Sequence, residues 1–264
     1  MANTHDYILC FSSLGRVYWV KVYNVPQGGR VSKGKPINNL LQLEKAEKIN
    51  AVLPVKAFDD NRYIFMATSL GTVKKTPLSE FSRPRSNGII AIGLDEGDYL
   101  IGVALTEGNH DVMLFSDGGK AMRFSENDVR PVGRSARGVR GMRLGAGQKV
   151  ISLLVAENEE LTVLTATENG YGKRTPISEY TRHNRGTQGM IAINTSARNG
   201  KVVAAQLVKQ DDEIMLITTG GILIRTRVSE IREMGRATQG VTLINLDEGE
   251  KLVGLERVVE ADEE

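Results

Sequence analysis

One pattern recurs five times along the chain and limits its fold more than any other feature: a short apolar run, a glycine turn, then a basic run. It reads Leu9-Cys10-Phe11-Ser12-Ser13-Leu14-Gly15, Phe65-Met66-Ala67-Thr68-Ser69-Leu70-Gly71, Met113-Leu114-Phe115-Ser116-Asp117-Gly118-Gly119, Leu164-Thr165-Ala166-Thr167-Glu168-Asn169-Gly170 and Met215-Leu216-Ile217-Thr218-Thr219-Gly220-Gly221. The anchor glycines are spaced by 56, 48, 51 and 51 residues. A second glycine follows each at Gly34, Gly88, Gly138, Gly189 and Gly240, 19 residues on in four repeats and 17 in the second. An alternating stretch such as Val241-Thr242-Leu243-Ile244, a Gly or acidic turn, and a closing apolar strand complete each unit. A period near 50 residues containing about four short strands is that of a propeller blade. The anchor glycines predict positive φ in two-residue hairpins, with Asn169-Gly170 the strongest signal.

The predicted fold is therefore all-β and propeller-like, with five four-stranded blades at about 6–55, 62–106, 111–156, 160–209 and 213–259. These form a single domain over 1–259, and the acidic Glu260-Ala261-Asp262-Glu263-Glu264 begins a solvated tail. The 28 glycines among 264 residues suit the many turns this needs, and 41% hydrophobic content supplies a core. No apolar run approaches the roughly 18 residues of a membrane span, and the first residues carry no signal-peptide pattern. The single cysteine, Cys10, reads as a small buried hydrophobe, and the chain as one for a reducing cytoplasm. No segment sustains a 3.6-residue period; residues 39–48 allow a helical turn or two.

Net charge is only +2, but it is unevenly spread. Residues 129–156 hold no acid, and residues 171–210 hold only Glu179. Superposing the repeats sets cations at fixed places. Lys74, Lys75, Arg123, Lys173, Arg174 and Arg225 fall three or four residues after an anchor glycine. Arg30, Arg134, Arg185 and Arg236 fall four residues before the second glycine. Lys33, Lys35, Arg137, Arg140, Arg182 and Arg227 lie nearby, and the shorter second repeat offers Arg83 and Arg85. Any one of these could merely solubilise a strand edge, but an arginine returning at one place in four repeats predicts a basic rim. Arginines among Ser, Thr, Gln and Gly suit phosphate oxygens. No aromatic series interleaves for base stacking, and no recognition helix is visible. The predicted partner is the backbone of double-stranded DNA, bound with little sequence preference, by these eighteen cations.

Other signals weigh less. Gly29 to Lys35 matches much of a P-loop, but Pro36 stands where the Mg²⁺-binding hydroxyl belongs and the repeat already accounts for Gly34. His5, His110 and His183 have no co-ligands at metal-binding spacing, and the acidic turns at 95–98 and 247–250 lack calcium-loop alternation. No nucleophile with a paired base is evident, so no cofactor and no catalysis are expected of this chain. A propeller that scaffolds protein partners is the alternative of another class; it predicts apolar or mixed patches where the repeated arginines stand.

Thr165-Ala-Thr-Glu-Asn-Gly-Tyr-Gly-Lys-Arg-Thr175, Phe65-Met-Ala-Thr-Ser-Leu-Gly-Thr-Val-Lys-Lys-Thr76 and Thr226-Arg-Val-Ser-Glu-Ile231 closely resemble the C-terminal domain of the bacterial DNA gyrase A protein. The resemblance covers essentially the whole chain. It implies a β-pinwheel whose blades exchange strands and which wraps DNA. It also implies a role in negative supercoiling by an ATP-driven type II topoisomerase, with the rest of the gyrase A protein and the gyrase B protein as partners near the nucleoid. ATP and the catalytic tyrosine would belong to other parts of that enzyme. The family's basic box, Gln-Arg-Arg-Gly-Gly-Lys-Gly, is missing; Gln27-Gly28-Gly29-Arg30-Val31-Ser32-Lys33-Gly34 matches it only in part. The resemblance thus implies a further blade ahead of these five. The equivalent domain of topoisomerase IV is the near alternative.

Overall fold

A computed structural model describes residues 2–28 and 32–258. The fold is all-β: nineteen strands and six single 3₁₀ turns, with no α-helix among the described residues. The chain forms two compact units, residues 1–109 with 129–139, and residues 110–128 with 140–264.

In the first unit, β1 (Tyr7–Ser12), β2 (Arg16–Lys21) and β3 (Ile49–Val55) make an antiparallel sheet. The next repeat builds β4 (Tyr63–Thr68), β5 (Thr72–Pro77) and β7 (Leu100–Thr106) in the same order. Between β5 and β7 it places the two-residue β6 (Ile89–Ile90), which pairs with β2 of the previous sheet instead of its own. Leu9, Phe11 and Val17 from the first repeat pack on Ile64, Met66, Leu78 and Phe81 from the second, the last two on its 3₁₀ turn, all essentially inaccessible to water. Burying each such side chain contributes roughly 1.5–3 kcal/mol.

The same exchange continues. The third repeat supplies β8 (Asp111–Ser116), β9 (Lys120–Ser125) and β11 (Val150–Ala156) to its own sheet, and its short β10 (Val139–Arg140) to the edge of β5. That donation explains why residues 129–139 belong to the first unit. In the second unit, β12 (Thr162–Thr167), β13 (Tyr171–Pro176) and β15 (Val202–Val208) form the fourth sheet, and β14 (Met190–Ile191) pairs with β9. The fifth sheet holds β16 (Glu213–Thr218), β17 (Leu223–Arg227) and β19 (Leu252–Val258), while β18 (Val241–Thr242) pairs with β13. Each of the first four sheets therefore has four strands, three of its own and one from the following repeat; the fifth has three among the described residues.

The anchor glycines at 15, 71, 119, 170 and 221 all take positive φ, between 74° and 87°. The first four hairpins they serve carry three loop residues and the fifth, between Thr218 and Leu223, four, not the two expected. Thr167 ends β12 and Tyr171 begins β13, with Glu168, Asn169 and Gly170 between, and Gly170 N–H donates to Thr167 O at 3.0 Å. A turn followed by a left-handed glycine is the usual three-residue solution. The helical turn allowed at 39–48 is a 3₁₀ turn slightly earlier, Ile37–Asn39.

The second glycines serve close packing. A Cβ on Gly240 would stand 2.6 Å from Gly172 O, and one on Gly189 2.1 Å from Ala121 O, both at positive φ. Gly34 has nothing within 4 Å of such a Cβ and no positive φ. Gly240→Ala is expected to cost on the order of 1–3 kcal/mol, and Gly34→Ala to change stability by less than about 0.5 kcal/mol. Urea midpoints of the two variants check the contrast.

Candidate nucleic-acid interface

The strand exchange determines where the cations stand. The loops leading to β10, β14 and β18 are each pinned to the second strand of the preceding repeat's sheet. Val132 N–H donates to Lys75 O at 2.9 Å, His183 N–H to Arg123 O at 2.9 Å, and Met234 N–H to Arg174 O at 2.8 Å. Two residues later in each loop comes the repeated arginine. Its guanidinium reaches back to the last residue of the previous repeat's exchanged strand: Arg134 Nη1 to Ile90 O at 3.4 Å, Arg185 Nη1 to Arg140 O at 3.0 Å, Arg236 Nη1 to Ile191 O at 2.8 Å. Arg185 Nε also donates to Asp128 O at 2.9 Å. All three are half-buried. They act as staples between consecutive loops as well as charges at the sheet edge.

Five of the predicted contact residues do not lie on the surface. Lys74 and Lys173 are fully buried, Lys75 and Arg174 nearly so, and Arg123 exposes only 11% of its side chain. Lys74 Nζ donates to Ala91 O at 2.8 Å and to Arg134 O; Lys173 Nζ donates to Gly235 O at 2.6 Å and to Arg236 O. Lys75 Nζ lies 4.5 Å from the centre of the Tyr63 ring. Arg174 Nε donates to Ile231 O at 2.8 Å, and Arg123 Nη1 to Ile177 O and Tyr180 O, each at 3.2 Å. In the first repeat the equivalent residue is Trp19, whose indole donates to Phe81 O at 2.9 Å. An indole in the same place shows that this position needs a hydrogen-bond donor to the next repeat's 3₁₀ turn, not a charge. The repeated positions predict these cations on an exposed basic rim; the loops that lead to the exchanged strands instead lie along Lys75, Arg123 and Arg174 and cover them.

Arg123 belongs to a buried network. Its Nε donates to Asp111 Oδ2 at 2.8 Å and its Nη2 to Glu159, while Arg182 Nε reaches Asp111 Oδ2 at 3.2 Å. Arg182 still exposes 59% of its side chain. Arg225 and Arg227 are paired with Glu213 on the surface of the fifth sheet, at 3.9 Å for Arg227. Lys33, Lys35, Arg83, Arg85 and Arg140 are exposed, and Arg137 is 77% exposed beside Asp95 at 2.9 Å. Arg30 lies outside the described residues, as does the tail from 260. Arg130 and Arg232 are exposed in the loops that lead to β10 and β18, Arg143 is exposed just after β10, and the three extend the candidate set. Arg130 and Arg232 share one repeat position, eleven residues after the anchor glycine, which superposing the repeats could have found; Arg143 has no basic counterpart in the other repeats.

Burial pushes the Lys74 and Lys173 ammonium groups down to about 8. Arg134 and Arg236 add to the depression, and Glu80 and Glu179 oppose it. Above about pH 8 the unfolded chain holds more protons on these lysines than the folded one, so folding stability rises with pH, by at most about 1.4 kcal/mol per lysine per pH unit. Below pH 8 the burial penalty is fully present. Cys10, whose thiol burial pushes up to about 11, works in the opposite sense from pH 9. The expected result is a urea midpoint that climbs between pH 8 and 9 and a smaller climb when Lys74 and Lys173 are replaced by methionine.

The chain matches the family model for the DNA gyrase C-terminal domain, beta-propeller, over residues 6–56, 62–107, 110–157, 162–209 and 212–258. It is 52% identical to the DNA gyrase A protein of Neisseria gonorrhoeae over 306 residues, and 56% identical to that of Escherichia coli strain K12 over 265. All of the chain is covered in both cases, but only 33% and 30% of the relatives. The chain thus spans about a third of their length. Among solved structures, a DNA gyrase A C-terminal domain superposes with a TM-score of 0.84 at 28% identity, over 98% of this chain and 84% of that one. The C-terminal domain of a DNA topoisomerase IV superposes with a TM-score of 0.89 at 26% identity, over 97% and 80%.

Proposed function

Given that the chain belongs to the DNA gyrase C-terminal domain family, we propose that it is a non-catalytic module that binds and bends double-stranded DNA on the loops that carry its exchanged strands. The observation that carries this reading is the return of exposed arginines beside those strands: Arg83 and Arg85, then Arg137 and Arg140, then Arg182. Guanidinium groups on pinned loops offer phosphate oxygens charge-assisted bonds without reading bases. Binding releases condensed counterions, and each neutralised phosphate adds roughly 0.9 to the salt slope. Bending a 20–30 bp duplex costs on the order of 1–6 kcal/mol, so contacts from several repeats are required. The remainder of the gyrase A protein and the gyrase B protein are the proposed partners in supercoiling, with ATP turnover and DNA cleavage outside this chain, in the bacterial cytoplasm. Identities above 50% to gyrase A relatives favour gyrase over topoisomerase IV.

The test is topological. Nicked circles sealed with the chain bound should shift in linking number, and duplex affinity should fall steeply as salt rises. Flat affinity from about 50 to 200 mM salt would sink the proposal. Binding that is steep in salt but leaves linking number unchanged would refute a handed bend or wrap, since a planar bend adds no writhe.

A further inference from the structure

Resting on that reading, we propose that Lys74 and Lys173 are positioning residues for DNA binding: each ammonium, sealed beneath the loop of the following repeat, fixes the arginine of that loop without touching DNA. The carbonyl that each lysine binds is that of the repeated arginine itself, Arg134 O for Lys74 and Arg236 O for Lys173. A second carbonyl on each completes the grip, Ala91 O at 2.8 Å and Gly235 O at 2.6 Å. A carboxylate stands at each loop: Glu80 Oε2 is 3.9 Å from Arg134 Nε, and Glu179 Oε2 accepts from Arg236 N–H at 3.0 Å. The two clamps, one in each compact unit, thus share one composition.

Packing does not demand a lysine here. The third residue after the anchor glycine is Tyr18 in the first repeat and Met122 in the third, both buried. Met122 sits beneath the loop of Arg185, where its sulfur meets the Thr187 hydroxyl at 3.4 Å. A methionine fills nearly the same volume as a lysine at no desolvation cost, whereas a buried ammonium is expensive unless its donors are met. What the lysine adds is a charged donor aimed at the loop backbone. Those bonds restrain the loop from which Arg134 or Arg236 extends, and a preordered loop loses less entropy on binding a phosphate. The loop above Met122 lacks a lysine at this place and leans on Arg185 Nε and Asp128 O instead.

The test compares Lys173→Met, Arg236→Ala and the double variant in this chain. Lys173→Met is expected to weaken duplex binding about fivefold and to speed amide exchange over residues 232–240 but not 183–189. In the Arg236→Ala background the same change should alter affinity less than about twofold, because the lysine acts through that arginine. Additive losses would overturn the proposal, since they would mean that Lys173 acts on DNA independently. Lysine methylation of the unmutated chain tests it without any variant: Lys74 and Lys173 should stay unmodified with or without duplex, while Lys33 and Lys35 react in the free chain. Labelling of Lys173 that DNA suppresses would make it a contact residue and end the proposal. Failure of the unmutated chain to bind duplex would overturn the parent reading as well, whereas intact binding with additive losses overturns this one alone.

Discussion

Asp111→Ala is expected to destabilise the chain by about 3–5 kcal/mol, the range for stripping one partner from a buried ion pair. Asp111 exposes 5% of its side chain and serves two arginines, Arg123 and Arg182. Arg123 cannot turn to solvent for relief, since its guanidinium also holds the carbonyls of Ile177 and Tyr180, which close the next repeat's 3₁₀ turn. Removing the carboxylate leaves a cation 11% exposed with only the surface-lying Glu159 as counter-charge. For a chain of this size each kcal/mol lowers the melting temperature by roughly 2–4 °C, so a fall of about 6–20 °C should be seen. Asp111→Asn keeps an acceptor of the same shape and should fall between the variant and the parent. Asp111→Ala with an unchanged melting temperature would refute the assignment of Arg123 as structural.

The case of Arg123 shows where sequence reading succeeded and where it could not. Repeats, strand-rich class and the anchor glycines were legible because each leaves a residue-type signature: only glycine accepts the φ of +85° at Gly170 without strain. The exchange itself left none in the residues. A strand of two residues, such as Val139–Arg140, is too short to show a period, and nothing in Val241-Thr242 says that its partner is β13 and not a strand of its own repeat. The family resemblance implied an exchange but not which residues it would cover, and that coverage decided the fate of the cations. Without the exchanged strand, Lys74 and Arg174 would lie beside an open edge, where basic residues ordinarily guard against aggregation. With it, β18 covers the edge at Tyr171 and Gly172, the loop that leads to β18 covers it at Arg174, and residues Gly172 to Thr175 are buried. Superposition of repeats correctly finds that a position matters, but a donor to a buried carbonyl and a donor to a phosphate select the same side chains. Trp19 at the Arg174 position was the one available hint, since an indole supplies the donor for a carbonyl without the charge that a phosphate favours.

The surface cations carry the complementary expectation. Arg83, Arg85 and Arg137 are exposed, all in the first compact unit, and the structure gives them no buried partner; Arg137 pairs only with the exposed Asp95. An exposed pair of that kind contributes about 0–1 kcal/mol, so replacing all three by alanine should leave the fold and its melting temperature nearly unchanged. The effect belongs in DNA binding. If each arginine neutralises one phosphate, the magnitude of the log–log salt slope falls by about 2.7. Across a fourfold rise in salt that difference amounts to roughly 40-fold less variation in affinity. Lys173→Met should barely move the slope while lowering affinity, because a buried positioning group displaces no counterion. A triple variant whose slope matches the parent would take these residues out of the interface. It would move the search to Arg130, Arg143 and Arg232, which are exposed beside the exchanged strands β10 and β18.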